Sequence, residues 1–122
     1  MLKRHIEDEE VKRTLYTAHG GAQAWMILTA PDLRGMDFLA RAILTPGKTI
    51  ESHIDPYEEI YIVIKGRGVI SVGEDSAEVG PMDSTYLPAG VPHALTNTGQ
   101  EDLEILVVAA PPIRDIVGLG AR

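Results

Sequence analysis

The chain has 122 residues, no cysteine and 44% hydrophobic residues, and its 11 Lys and Arg against 18 Asp and Glu leave a formal charge of −7. That length suits one domain with a core of its own; the lack of cysteine excludes disulfides, thiolate zinc sites and cysteine nucleophiles; and an acidic surface repels nucleic-acid phosphates. No apolar run approaches the roughly 20 residues of a membrane-spanning helix, and the opening Met1-Leu-Lys-Arg-His-Ile-Glu lacks the apolar stretch of a signal peptide, so a soluble, cytoplasmic protein that binds neither nucleic acid nor membrane is expected.

In chain order, the acidic stretch Glu7–Lys12 has the composition of a helical turn, and Val11–Tyr16 reads as a first strand. Further strands are predicted at Ala22–Thr29, Asp37–Thr45, Thr49–Ile54, Ile60–Lys65, Val69–Val72, Ala77–Val79, Ser84–Leu87, Ala94–Asn97 and Leu103–Ala109. Pro and Gly punctuate them, as in Pro46-Gly47, Gly66-Arg67-Gly68 and Pro88-Ala89-Gly90. Glycine supplies the positive φ of tight turns, and proline fixes φ and ends pairing. Beyond Pro111, the spacing of Ile113, Ile116 and Val117 predicts a short packed helix over Pro112–Val117. So many short strands in one chain imply an all-β, antiparallel sandwich or closed barrel. The expected organisation is one domain over 1–122, with a core barrel at about 36–110, N-terminal strands at 11–29 and a short helix or tail at 111–122.

Chemistry concentrates in two stretches. In Gly47-Lys-Thr-Ile-Glu-Ser-His53-Ile-Asp55-Pro-Tyr-Glu58-Glu59, His53 and Asp55 are two apart and can share one face of a strand. Glu59 follows the bend at Pro56 and can also point inward, leaving Glu58 outward. In Pro88-Ala-Gly90-Val-Pro92-His93-Ala-Leu95-Thr-Asn97 the turn delivers His93 at the start of a strand. A histidine beside a turn has a structural reading too. Asp and Glu among apolar strands, however, need solvent or a cation. Two imidazoles and two carboxylates form a mixed N/O set that suits Fe, Mn, Zn, Ni or Co as the divalent ion.

These stretches resemble the two motifs of the cupin superfamily. The first motif runs Gly, five residues, His-x-His, three or four residues, Glu, six residues, Gly. Gly47, His53, Glu59 and Gly66 stand in those places. The second runs Gly, five residues, Pro-x-Gly, two residues, His, three residues, Asn. Gly80, Pro88, Gly90, His93 and Asn97 match it, except that seven residues separate Gly80 from Pro88. The resemblance implies an antiparallel jelly-roll barrel and one bound metal ion. It carries His53, Glu59 and His93 over as ligands. The family's second histidine is Asp55 here, so Asp55 carries over as a ligand by position only. With a dication, its carboxylate would make the site neutral and less Lewis-acidic than a site of three histidines and one glutamate. His53-x-Asp55 with His93 also resembles the iron triad of 2-oxoglutarate-dependent oxygenases. Those enzymes need an arginine soon after the distal histidine, whereas the first arginine after His93 is Arg114.

The resemblance implies a metal-dependent enzyme acting on a small oxygenated substrate, by oxygenase, decarboxylase, isomerase or lyase chemistry. Glu59 or Asp55 would be the catalytic base when not a ligand. The alternatives are a barrel that binds a small ligand without turnover and a structural barrel with a vestigial site. Tyr61, Tyr57, Tyr86, Trp25 and Met82 can line the cavity or the core. Asn97 reads as a turn or strand hydrogen-bonding residue, and Arg41 can face inward to a substrate or outward to solvent. His5 and His19 are expected to bind nothing, and Gly66-Arg67-Gly68 reads as a hairpin turn. Ile60–Ile64 is apolar at every second position on both faces. That pattern predicts cover on both sides, and hence a homodimer.

Overall fold

The computed structural model of the protein describes residues 1–111. The helix expected at Pro112–Val117 therefore lies outside the described residues. Ten strands follow one short helix, α1 (Glu9–Lys12): β1 (Tyr16–Ala18), β2 (Ala22–Leu28), β3 (Phe38–Leu44), β4 (Thr49–His53), β5 (Glu59–Lys65), β6 (Gly68–Val72), β7 (Asp75–Val79), β8 (Ser84–Leu87), β9 (His93–Asn97) and β10 (Leu103–Ala109). A single 3-10 turn at Ala30–Asp32 links β2 to β3. The strands form a six-stranded sheet, β1-β2-β3-β10-β5-β8, and a four-stranded sheet, β4-β9-β6-β7. Every pairing is antiparallel. This is the expected all-β jelly roll.

Strict alternation builds the core. On β3 Ala40, Ala42 and Leu44 are buried, and on β10 Leu103, Ile105, Val107 and Ala109 are buried. Ile50, Ile70, Val79 and Leu95 from the smaller sheet belong to the same cluster. Each fully buried Leu or Ile contributes about 1.5–3 kcal/mol relative to an exposed one. On β5, Tyr61 and Val63 point inward, while Ile60 and Ile64 stay 40% and 39% exposed. Among the described residues of one chain, the apolar strand is thus covered on one side only.

Two expectations need correction. Val11–Tyr16 is not a strand. Glu9 and Glu10 favour the first turn of α1 and Lys12 its last, and Val11 is buried at 1% exposure. Thr14 Oγ1 donates to the Val11 carbonyl at 2.6 Å and accepts the Met26 amide at 2.8 Å, so the chain turns there before β1 begins. The Gly66-Arg67-Gly68 segment is not a hairpin. It carries the chain from β5 in the larger sheet to β6 in the smaller one. Its glycines are needed for the crossing: a Cβ on Gly66, at φ +86°, would run into the Asp102 carbonyl, and one on Gly68 into the Thr96 carbonyl.

Candidate metal centre

Four elements bring His53, Asp55, Glu59 and His93 together. On β4, Ile50 faces the core, so regular alternation would aim Ser52 inward and His53 outward. The β4–β9 register slips between Ile50 and His53, which sets His53 opposite His93. Such a bulge re-aims a side chain by adding one residue to one strand. Glu51 and Ser52 are exposed and His53 is half-buried. After the bulge, Asp55 sits at the Pro56 bend, where its carbonyl accepts the Gly90 amide at 2.9 Å. That bond ties the first motif to the second. Glu59 opens β5 with its side chain inward, and outward-facing Glu58 accepts a hydrogen bond from Tyr86 at 2.7 Å. His93 opens β9, in phase with buried Leu95 and Asn97.

The ligand atoms of the four residues lie within 4.8 Å of one another. His53 Nε2 is 3.1 Å and His93 Nε2 3.4 Å from Asp55 Oδ2, and His93 Nε2 is 3.6 Å from Glu59 Oε1. Each imidazole is anchored from behind. His53 Nδ1 lies 2.8 Å from the Glu51 carbonyl, and His93 Nδ1 lies 3.3 Å from the Val91 carbonyl. A carbonyl only accepts, so each Nδ1 donates, and in the neutral ring each Nε2 lone pair faces the carboxylates. Backbone anchoring of this kind orients metal-binding histidines. Glu59 Oε1 and His93 Nε2 are buried and have no hydrogen-bond partner. Two lone pairs facing two carboxylates in a desolvated pocket repel unless a proton or a cation sits between them. The donor set, two imidazole nitrogens and two carboxylates, fits a borderline divalent ion.

The protonation tendencies agree with this crowding. Burial pushes the Glu59 carboxyl above its usual range; the facing His93 counters and the Asp55 charge adds to it. Burial alone would lower the His93 imidazole, but Glu59, the Val91 carbonyl and Asp55 outweigh it, so the group is raised. Burial and then the neighbouring Glu59 and Asp55 carboxylates push the Tyr61 phenol well above its ordinary value.

A cavity of about 280 Å³ opens beside the cluster, bounded by Glu59, Tyr57, Tyr61 and His19 and floored by Ala24, Ala40 and Ala42 among others. Tyr61 meets the His93 ring edge-on at 5.9 Å between centroids. Hollows of about 460 Å³ and 530 Å³ at Arg67 lie at the far end, because Gly68 pairs with Asn97 while Val72 pairs with His93. None of the four clustered residues lines either one.

Tyr57 and Tyr61 line the cavity, whereas Tyr86 and Met82 are exposed at 55% and 77%. Arg41 faces outward: its Nε donates to Glu104 at 2.7 Å and its guanidinium lies 5.1 Å from the Trp25 ring centre. Asn97 is structural. Its Nδ2 donates to the Leu44 and Glu101 carbonyls at 2.8 Å each, and its Oδ1 accepts the Gly99 amide at 2.9 Å. His19 is the residue that sequence reasoning missed. It stacks on His53 with ring centroids 3.4 Å apart and planes 8° from parallel. Burial and then His53 lower its pKa. The available signal was His19-Gly20-Gly21: His19 turns at φ +47° and Gly20 at φ +84°, and the His19 carbonyl accepts the Glu51 amide at 2.9 Å.

The family model of the cupin domain matches residues 40–109, a span that holds all four clustered residues. An uncharacterised protein of Methanocaldococcus jannaschii is 37% identical over 75 residues, covering 61% of this chain and 60% of that protein. The chain spans less than two thirds of the length of this and the other foremost curated relatives. Among solved structures, a Thermotoga maritima protein described as a predicted oxalate decarboxylase superposes with a TM-score of 0.72 at 25% identity, covering 79% of this chain and 89% of the other. The polyketide cyclase RemF of Streptomyces resistomycificus superposes with a TM-score of 0.74 at 25% identity, covering 95% and 86%.

Proposed function

The chain belongs to the cupin family, and on that premise we propose that it is a metal-dependent enzyme acting on a small oxygenated molecule in the cavity beside His53, Asp55, Glu59 and His93. One observation carries this reading: the buried, unpartnered Glu59 Oε1 and His93 Nε2 face each other beside a second carboxylate and a second imidazole. These four residues would hold one Fe, Mn, Zn, Ni or Co ion, which supplies Lewis acidity toward a substrate oxygen or activates water or dioxygen. Tyr57 and Tyr61 supply hydroxyl groups at the cavity wall, and Ala24, Ala40, Ala42 and Phe38 give it an apolar part. Asp55 or Glu59, when its carboxylate is free of the ion, is the base that takes a substrate proton. Oxygenase, decarboxylase, isomerase and lyase reactions all fit this arrangement.

A binding barrel without turnover is favoured by one feature. Asp55 stands where the cupin motif has a histidine, and two carboxylates neutralise a dication and weaken it as a Lewis acid. Elemental analysis tests what both readings share. Protein prepared without chelator or affinity-tag metal is expected to carry close to one transition metal ion per chain. Less than about a tenth of that, together with no rise in melting temperature on adding Fe, Mn, Zn, Co or Ni, would remove the basis for a metal centre. Turnover on a substrate panel then separates enzyme from binder. We also propose that the protein is a homodimer, joined through the exposed apolar stripe of Ile60, Ile64 and Tyr86 on the larger sheet.

A further inference from the structure

The cavity wall limits what can bind beside the metal centre. Three inner positions on its central strands, Ala24, Ala40 and Ala42, are 2–4% exposed. Alanine is depleted in strands, where larger branched residues normally fill the core, so each leaves space that a Val or Ile would close. The resulting 280 Å³ equals the share of roughly nine waters at about 30 Å³ each. That is room for a molecule of one or two fused rings. Met26, Phe38, Ile50 and Val107 make the rest of the wall largely apolar. Its polar groups are the phenols Tyr16, Tyr57 and Tyr61, with Thr17, His19 and Glu59. A phenol is protonated near neutrality and donates to an oxygen acceptor.

Charge narrows the choice further. Among the described residues no lysine or arginine lines this cavity, and Arg41, on the neighbouring strand, is turned outward and paired with Glu104. A dication held by Asp55 and Glu59 has its two charges already matched. A small dianion would then enter a pocket with no countercharge against a largely apolar wall, which is costly. We propose that the cavity takes a neutral, ring-sized, largely apolar molecule bearing one or two oxygen acceptors, such as a phenol, enol or ketone, and rejects small dicarboxylates. This rests on the metal reading above for the charge balance alone; the size and polarity of the wall stand without it.

The test is calorimetric titration of 2-naphthol and of oxalate into the protein, both metal-loaded and chelator-treated. 2-Naphthol is expected to bind the metal-loaded protein at least about tenfold more tightly than oxalate, because the dianion stays unpaired. Ala42→Phe, which fills the space, should weaken 2-naphthol about tenfold or more while leaving the metal content intact. If that variant does not fold, Met26→Trp at the half-buried part of the wall serves the same purpose. Oxalate binding as tightly as 2-naphthol, or 2-naphthol affinity unmoved by the filling variant, overturns the inference. Failure of the metal reading shows separately, as chelator-treated and untreated protein that are identical in metal content and in 2-naphthol affinity.

Discussion

At the residue scale, the proposed metal centre depends on two imidazoles anchored at Nδ1 so that both Nε2 atoms face inward. His53→Ala and His93→Ala should each strip most of the metal while far-ultraviolet circular dichroism still reports a folded barrel. Full metal stoichiometry in both variants would refute the ligand assignment. The raised groups also set a pH dependence. Folded His93 holds its proton more tightly than the unfolded chain does. Its contribution to metal-free stability is thus fully present below the unfolded imidazole value of about 6.5 and is lost as pH rises through the higher folded value. Glu59, also raised by burial, acts in the same sense from the ordinary carboxyl value of about 4.3 upward. Metal binding needs both groups deprotonated and runs the opposite way. Between about pH 6.5 and pH 8, where His19 with its lowered pKa is neutral both folded and unfolded, the melting temperature of metal-free protein should therefore fall, while the increment from added metal grows. A metal increment that shrinks over that interval would contradict this.

At the scale of elements, the motif residues split into those that face the site and those that hold its frame. Asn97 closes β9 and is 2% exposed. It ties the end of β3 through Leu44 O and the approach to β10 through Glu101 O. Asn97→Ala leaves the buried Leu44 carbonyl, the part-buried Glu101 carbonyl and the Gly99 amide each short of one partner. At about 1 kcal/mol or more for each lost bond, the cost should be about 3 kcal/mol in chemical denaturation. Metal stoichiometry should hold, because Asn97 and His93 lie at opposite ends of the strand. Loss of metal in a still-folded Asn97→Ala protein would assign the residue a role at the site instead.

At the scale of the whole molecule, the outer face of the larger sheet carries an apolar stripe on β5, β8 and β10 that the described residues leave exposed. Ile60 and Ile64 are 40% and 39% exposed, Tyr86 is 55% exposed, and Leu106 and Val108 on the paired strand β10 are half-buried. An aliphatic stripe of this kind on a sheet face marks an interaction surface, and a second copy of the chain is the partner proposed here. Light scattering should give twice the chain mass, and Ile64→Lys should give a monomer that keeps its metal. A wild-type monomer at micromolar concentration would exclude the dimer.

Nine of the ten strands were legible in the sequence, because alternation and Gly/Pro punctuation are local signals. The four clustered residues were legible too, from motif spacing. Four features were not, and each depends on what the chain meets elsewhere. The segment after α1 turns at Thr14, whose hydroxyl bonds a strand twelve residues on. Gly66–Gly68 changes sheets where its sequence reads as a hairpin. His19 reaches His53 because its hairpin packs on β4; His19-Gly20-Gly21 marks the turn but not what the turn packs against. The bulge between Ile50 and His53 is the decisive case. The spacing His53-x-Asp55 puts both residues on one face, but which face is decided only when β4 pairs with β9. One inserted residue reverses inside and outside, and the register that selects it is a property of two strands together.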